Sequence, residues 1–576
     1  MNRCRCTPRL TRRHIVASTL FAGAGLALPR WTFAQEATPA ALTGAVTSQT
    51  REEFRAEIEE AMGYSEAATP GGRYINSEVT DIQTVHPMLA EDGPSLAVVG
   101  RIYEQLVGGD VRTGGPAPNG LADYWEIAED GVTYTFHLNQ KATWHDGMDV
   151  TADDVQFSFD ALANPDVGSS YSQTFLDSTE SWRVIDEHTF EVVAKEPLYT
   201  FLYDLVTWII PKHIWESVPV ADWRTDGGAT GQDPARVVGS NAFKFQEWIP
   251  GASITLVRND DYYDKIPYVD SVVTLIWPDD TAEFNALLNG EIDASTVSPP
   301  DASTLEATDG LEMTVYPTRG FTFYATNLDP EKSQLFLDQR VRQALMFGLD
   351  RQSIVDNILL GYGEVAQGTQ PVVSYAYAPD RIETQYTYDP DRARALLAEA
   401  GWTDADGDGI VDKDGVPLAF EAIYPSGIPV HDQTLAYMQD AWRDIGIDMT
   451  PRATEFASLV DIITGDRNFD MAYLLFNWDA TFIQDAMFGC DQVPPGGFNF
   501  ASYCNEGLDE LFAESKRTFD EDARREMLIE ASNIVNEELP IAVLHFGEAI
   551  AGYRAALQNF EPSTWGIDLG YVWIQQ

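Results

Sequence analysis

Residues 121–138 read Leu-Ala-Asp-Tyr-Trp-Glu-Ile-Ala-Glu-Asp-Gly-Val-Thr-Tyr-Thr-Phe-His-Leu, and residues 144–159 read Trp-His-Asp-Gly-Met-Asp-Val-Thr-Ala-Asp-Asp-Val-Gln-Phe-Ser-Phe. From Val132 to Leu138 side chains alternate with period two, the pattern of a half-buried strand. Trp144-His-Asp-Gly147 has the composition of a turn. Thr151, with Asp154 three residues on, reads as a capping pair opening a helix over the apolar residues that follow. Strand, turn and capped helix in so short a span point to a mixed α/β unit.

The mixture continues along the chain. Residues 241–248, 252–258 and 271–277 are predicted strands, followed by a helix over 281–288 that ends at Gly290. The C-terminal half is more helical, with helices predicted over 339–360, 390–400, 430–445, 456–463, 507–516 and 520–537, and strands at 321–327, 417–424 and 471–476. No repeat of 20 to 50 residues is present, which excludes solenoids and propellers. A chain of 576 residues exceeds one simple core, so two or three lobes are expected.

Charge narrows the partners. Ninety Asp and Glu against 37 Lys and Arg make a strongly acidic chain, which repels nucleic acid and anionic lipid and suits a heavily solvated, extracytoplasmic surface. The N-terminus has the opposite sign: six Arg and no acid occur in residues 1–34. Arg12-Arg13, an apolar run from Ile15 to Leu28 and Thr32-Phe33-Ala34 together read as an export signal of the twin-arginine kind, too short to span a bilayer comfortably. Residues 35–70 read as a spacer with one short helix around 51–62. Cys4 and Cys6 would leave with the signal. Cys490 and Cys504 remain, either as a disulfide in an oxidising compartment or as two buried thiols.

Motifs for chemistry are missing. There is no Gly-x-Ser-x-Gly elbow, no His-Glu-x-x-His and no Gly-x-x-x-x-Gly-Lys, and the eight histidines have no ligand spacing. A carboxylate pair for glycan hydrolysis has no motif to exclude it, so a secreted hydrolase stands as the second function class.

From about Gly72 to Val572 the chain resembles the family-5 extracellular solute-binding proteins of ABC importers, the peptide- and nickel-binding type. The blocks that carry the resemblance occur in order: 121–159, VVGSNAFKFQEWIPGASITLVRNDDYY (237–263), PDDTAEFNALLNGEIDA (278–294), FYATNLD with RVRQALMFGLDRQSIVDNILLGYG (323–329 and 340–363), and YDPDRARALLAEAGW (388–402). The resemblance implies an α/β fold of two lobes hinged about a cleft, with an extra domain inserted in the first. Lobe I would come from 71–102, 205–318 and 543–576, the inserted domain from 103–204, and lobe II from 319–542. It implies a monomeric receptor that binds a peptide or similar small solute, an oligosaccharide being the alternative. The receptor would hand the solute to membrane permease subunits, with no bond made or broken and no cofactor required.

The same resemblance nominates ligand-facing residues. Pro94 and Ser95 match one wall, Ser240 and Asn241 a polar pair, and Tyr324 and Asn327 a strand leading to the hinge. Asn477, Trp478 and Asp479 lie in Phe476-Asn-Trp-Asp-Ala-Thr-Phe-Ile-Gln-Asp485, which matches the segment that in peptide binders reads Gly-Trp-x-Ala-Asp. Its Asp pairs with a ligand's α-ammonium, but Thr481 stands at that place here. Phe498 adds an aromatic surface able to stack on a sugar or an apolar side chain. Arg319 is a local cation that would favour anionic ligands in an otherwise acidic molecule.

One stretch looks unrelated to this role. In Asp404-Ala-Asp-Gly-Asp-Gly-Ile-Val-Asp-Lys-Asp-Gly415, Asp404, Asp406, Asp408 and Asp412 with the carbonyl of Ile410 match positions of a calcium loop, but position twelve is Gly415 where a bidentate carboxylate belongs. A calcium site and an acidic tight turn are both compatible with this composition.

Overall fold

The computed structural model describes residues 45–64, 68–205, 208–277 and 279–575. The export signal expected at 1–34 lies outside them.

The quoted stretch forms the heart of a five-stranded antiparallel sheet, in the order Val46–Thr47, Ala122–Ile127, Thr133–Leu138, Thr189–Ala194, Thr179–Asp186. Period two places Tyr134, Phe136 and Leu138 on its buried face. The helix Ala152–Ala163 covers that face, and Phe159 meets Phe190 edge-on at 5.2 Å. Its start follows the predicted box: Thr151 N–H donates to Asp154 Oδ2 at 3.0 Å. Truncating a ring such as Phe159 would cost roughly 3–5 kcal/mol.

A second sheet has four strands. Arg73–Glu78 runs parallel to Ser271–Ile276, which pairs antiparallel with Ser253–Arg258 and through it with Phe243–Ile249. The helix Gly93–Ile102 buries Val98, Val99 and Ile102 in the same core as Phe243 and Leu256.

The third sheet has seven strands and is organised by two long ones, Leu311–Thr326 and Ile541–Arg554. Their antiparallel register runs from Leu311 opposite Arg554 to Pro317 opposite Glu548, breaks, and resumes from Phe321 opposite Phe546 to Ala325 opposite Ile541. Before the break, Leu311 and Ile550 pack with Leu287 and Leu305. Beyond it, Phe321 and Phe323 face one large core and Tyr324 the other, with Met471–Asn477, Ala419–Pro425 and Asp448–Thr454 completing the sheet. Two adjacent strands thus cross from the first lobe into the second, and the bulged break marks the crossing.

The structure departs from the sequence reading in three places. The helix predicted over 339–360 stops at Phe347 and restarts at Arg351, because Asp350 accepts from Ser353 N–H at 3.2 Å as a new N-cap. Gly348 in the gap packs so closely that an added Cβ would lie 2.5 Å from Ile445 Cδ1. The strand predicted at 321–327 begins ten residues earlier, at Leu311. Residues 46–62 are no free spacer: Val46–Thr47 adds to the five-stranded sheet, and the helix Arg51–Met62 packs Phe54 and Ile58 against Ala117. Arg51 at the start of that helix is buried and donates to Asp264 Oδ2 at 2.7 Å, Asp123 Oδ1 at 3.2 Å and the Gly120 carbonyl.

Candidate functional site in the interlobe cleft

The strand Met471–Asn477 ends beside the crossing, where Asn477 lies opposite Gly320. That register delivers Asn477, Trp478 and Asp479 to the junction of the lobes. The Trp478 ring turns inward. It stacks on Phe321 at 4.4 Å, its Nε1–H donates to the Thr369 carbonyl at 3.1 Å, and only 4% of it is exposed. Trp478 is therefore floor rather than contact surface. Asn477 and Asp479 are exposed, and Phe498, 44% exposed, leans on Phe476 at 5.1 Å.

Asp479 is held by its neighbour: its Oδ1 accepts from Thr481 N–H at 2.8 Å and from the Thr481 hydroxyl. Thr481 itself is buried at 8% exposure and braces the turn.

Residues of the first lobe face this rim. Trp565 sits 6.1 Å from Phe482, ring to ring, and carries the Arg319 guanidinium 4.7 Å above its ring centre. Tyr199 and Tyr203, four residues apart, join hydroxyls at 2.9 Å. Burial pushes the Asp204 carboxyl up to about 7; Lys516 opposes the rise, while Asp479 and Asp485 add to it. Lys516 itself bonds Asp485.

Six of the ten nominated residues are elsewhere, for definite reasons. Pro94 is half-buried in the first turn of Gly93–Ile102, and Ser95 is fully buried with its hydroxyl accepting from Gln83 N–H at 2.9 Å. Ser240 is fully buried. Asn241 fastens the end of the same helix, its Nδ2 donating to the Gly100 carbonyl at 2.8 Å and its own carbonyl meeting His145 Nε2 at 2.8 Å. Tyr324 is 2% exposed with its ring edge-on to Trp442, and Asn327 is fully buried, donating to the Arg467 and Phe469 carbonyls at 2.9 Å each. Ser95, Tyr324 and Asn327 serve packing and backbone satisfaction, and Asn241 lines a cavity with Arg51 and Tyr262. Sequence reading missed Phe482, Trp565, Tyr199, Tyr203 and Asp204. The only signal was aromatic density in connecting segments, which single-strand periodicity does not register.

Cys490 and Cys504 are joined as a disulfide closing a loop next to this rim, with Phe498 inside it. No helix among the described residues is long and apolar enough to cross a membrane.

In the acidic loop, the carboxylates of Asp404, Asp406 and Asp408 come within 4.8 Å of one another, all exposed. Each already accepts from the backbone: Asp404 from Gly407 N–H at 2.7 Å and Gly409 N–H at 3.2 Å, Asp406 from Asp408 N–H at 3.2 Å, and Asp408 from Ile410 N–H at 2.8 Å. Asp412 accepts from Ala405 N–H at 3.1 Å, and the Ile410 side chain is buried. Asp414 and Gly415 form the left-handed turn between Asp412–Lys413 and Val416–Pro417, so no helix leaves the loop.

Two α/β lobes joined by a pair of adjacent strands, with an aromatic and polar rim at the joint, define a solute-binding receptor. The sequence profile of the bacterial extracellular solute-binding proteins, family 5 (middle), matches residues 117–495, and the chain belongs to that family. The oligopeptide-binding protein AppA of Bacillus subtilis is 29% identical over 481 residues, covering 83% of this chain and 86% of the relative. The structure of that AppA with a nonapeptide aligns with TM-score 0.72 at 27% identity, over 88% of this chain and 100% of the other. NikZ of Campylobacter jejuni, solved with Ni(L-His), aligns with TM-score 0.72 at 25% identity, over 87% and 99%.

Proposed function

We propose that this protein is the extracytoplasmic receptor of an ABC importer that captures a peptide or peptide-like solute between its lobes and delivers it to membrane permease subunits. The observation that carries this reading is the paired crossing of Leu311–Thr326 and Ile541–Arg554 at the aromatic rim. Two strands kinked at one point permit the lobes to close as bodies over a ligand seated beside Asn477 and Trp565. Affinity in such a site comes from burying the solute against rings, with a few polar groups fixing its orientation. The relatives with oligopeptide-binding names favour a peptide. Thr481 in place of the ammonium-pairing Asp argues for a solute recognised by something other than a free N-terminus.

The reading includes export by the N-terminal signal, action as a monomer, and binding with release unaccompanied by covalent chemistry or a resident cofactor. Native mass spectrometry of protein purified from its host envelope tests it. The expected result is a co-purified solute of peptide mass that is returned intact. A modified product, or a sugar in its place, would overturn the assignment.

A further inference from the structure

A cavity of about 380 Å³ opens between two of the sheets, and none of its lining residues belongs to the seven-stranded sheet or to the rim around Trp565. One wall is the turn segment that leaves the strand Thr133–Leu138 and carries Lys141, Thr143 and Trp144. The other is Lys244, on the strand Phe243–Ile249, with Asn259, Asp261 and Tyr263 just beyond the end of Ser253–Arg258. Composition makes the place unusual: the chain has eight lysines against 90 acidic side chains, and two of the eight line this one cavity.

What each lining group has left to offer decides the ligand. His145 has spent both ring nitrogens, Nε2 on the Asn241 carbonyl at 2.8 Å and Nδ1 on Gly239 N–H at 3.2 Å. Tyr263 gives its hydroxyl to Glu104 at 2.6 Å, and Asn259 accepts from Asp261 N–H at 3.2 Å while donating to the Asn241 carbonyl. The groups left over are mostly donors. Lys244 Nζ reaches only the His145 carbonyl, at 3.2 Å. Among the described residues neither Lys141 nor Lys244 has a carboxylate within ion-pair distance, as Lys212 and Lys516 do, and the Thr143 hydroxyl has no partner. Trp144 is 2% exposed and its Nε1–H has no acceptor. Four other indoles share that condition, so the N–H alone argues nothing. Its place on a wall with two unpaired ammonium groups does, because a buried donor without an acceptor calls for one. The sole acidic side chain on the walls, Asp261, is exposed, and solvent screens its charge.

We infer that this cavity is a second binding site, for a small polyvalent oxyanion of the phosphate or sulfate kind, gripped by Lys141 and Lys244 and oriented by the Thr143 hydroxyl and the Trp144 Nε1–H. A divalent anion answers both ammonium groups at once, where a carboxylate answers one. Its source is a free anion or a small ester and not a membrane surface, because a chain of formal net charge −53 is repelled by anionic lipid. One lysine comes from each sheet, so the bound anion braces the two sheets against each other. The site is independent of what the cleft takes.

The test uses the full chain, its Lys141→Gln and Lys244→Gln variants singly and together, and Trp144→Phe, all dialysed free of oxyanions. Thermal melts are taken in inorganic phosphate, sulfate, glycerol 3-phosphate and acetate, with chloride holding the ionic strength fixed so that screening of the acidic surface stays constant. The expected result is a saturable rise in Tm with phosphate and sulfate, as for any ligand that binds only the folded state. Each lysine change should weaken the midpoint of that rise about 10-fold, and the pair should abolish it. An isotope-labelled indole N–H resonance that is missing from Trp144→Phe should shift with phosphate along the same midpoint. Should Trp144→Phe fail to fold, the lysine variants decide alone. The ester acting at lower concentration than inorganic phosphate would support the site and make an ester its source; the reverse would make the source a free anion. No rise beyond that in chloride, or a rise kept in the double variant, would overturn the inference, and an equal response to acetate would overturn the oxyanion class.

Discussion

Arg517 reaches from the second lobe to bond Glu196 of the first, NH2 to Oε2 at 2.8 Å and Nε to the same oxygen at 3.0 Å. The contact does not act alone. Tyr199 N–H donates to the Lys516 carbonyl at 2.7 Å, and the Arg524 guanidinium lies 3.4 Å above the Tyr199 ring. Lys516, Arg517 and Arg524 come from the end of the helix Glu506–Arg517 and the first turn of Glu521–Glu538, and with Glu196 and Tyr199 they clip the lobes together. Both partners of the ion pair are a third to a half exposed, so the pair is worth no more than about 1 kcal/mol. That suffices to bias a near-balanced closure. Arg517→Glu is therefore expected to raise the ligand-free radius of gyration in small-angle scattering and to weaken solute binding about two- to five-fold. Adding Glu196→Arg should restore both. An unchanged scattering curve in the single variant would remove the clip.

The disulfide makes a separable prediction. Cys490 and Cys504, 14 positions apart in sequence, close a loop that restricts the chain entropy of the unfolded state, which corresponds to about 3 kcal/mol. Replacing both by Ser should lower Tm clearly, and solute affinity should fall as well because Phe498 is carried on that loop. A variant with lower Tm but unaltered affinity would show that Phe498 does not touch the solute.

Three histidines set an acid limit. His86 is fully buried, edge-on to Trp215 at 4.3 Å, and burial pushes its pKa down to about 3. Burial likewise lowers His145 to about 4, and lowers His545 to about 4 with His431 and Arg351 adding to the effect. The unfolded chain takes up these protons near pH 6.5 while the folded protein refuses them until pH 3 to 4. Their contribution to stability is whole above pH 6.5 and is lost as pH falls, by at most about 1.4 kcal/mol per pH unit for each group. Denaturant titrations from pH 7.5 to 4.5 should show His86→Asn losing stability less steeply than the parent, whatever its offset from lost packing. Parallel slopes would mean that His86 is charged when folded.

Much of the fold was legible because its helices and central strands follow local periodicity. The Thr151 box opens its helix as read, and Thr133–Leu138 alternates as read. Ile541–Arg554 escaped notice because Gly547, Gly552 and several Ala dilute its β character. The tertiary reason lies in packing: a Cβ on Gly552 would stand 2.8 Å from Val297 Cγ2. The cleft was less legible than the fold. Trp478 and Tyr324 are both aromatic residues on neighbouring strands, yet both turn into cores, while Trp565 comes from a segment with no regular pattern. Which side of a strand end faces a cleft depends on the second lobe, and no local signal carries that.

The N-terminal segment offers a prediction that distinguishes packing from tethering. Arg51 is 5% exposed and its partners Asp264 and Asp123 belong to other segments, so its removal takes one of two arginines, the other being Arg55, from the buried Asp264 carboxylate. Arg51→Met should cost about 1.5–3 kcal/mol through its lost charge-assisted hydrogen bonds, measured by urea unfolding. Deletion through residue 64 should lower Tm further by exposing the Tyr571 ring, which stacks on Tyr64 at 4.3 Å. A truncated protein as stable as the parent would return this segment to the role of a spacer.

The acidic loop can be decided by the same kind of measurement. Asp404 accepts two backbone N–H groups, from Gly407 and Gly409, and so shapes the turn whether or not a cation is present. We propose that its main role is this bracing, since the carboxylates meant for a metal are engaged with the chain and Gly415 supplies no ligand. Two exposed charge-assisted bonds are together worth about 1 kcal/mol. Asp404→Ala should therefore lower Tm by the same small amount in millimolar calcium and in chelator. A parent Tm that rises with calcium, and a variant in which that rise is gone, would make the loop a calcium site and the bracing its preparation.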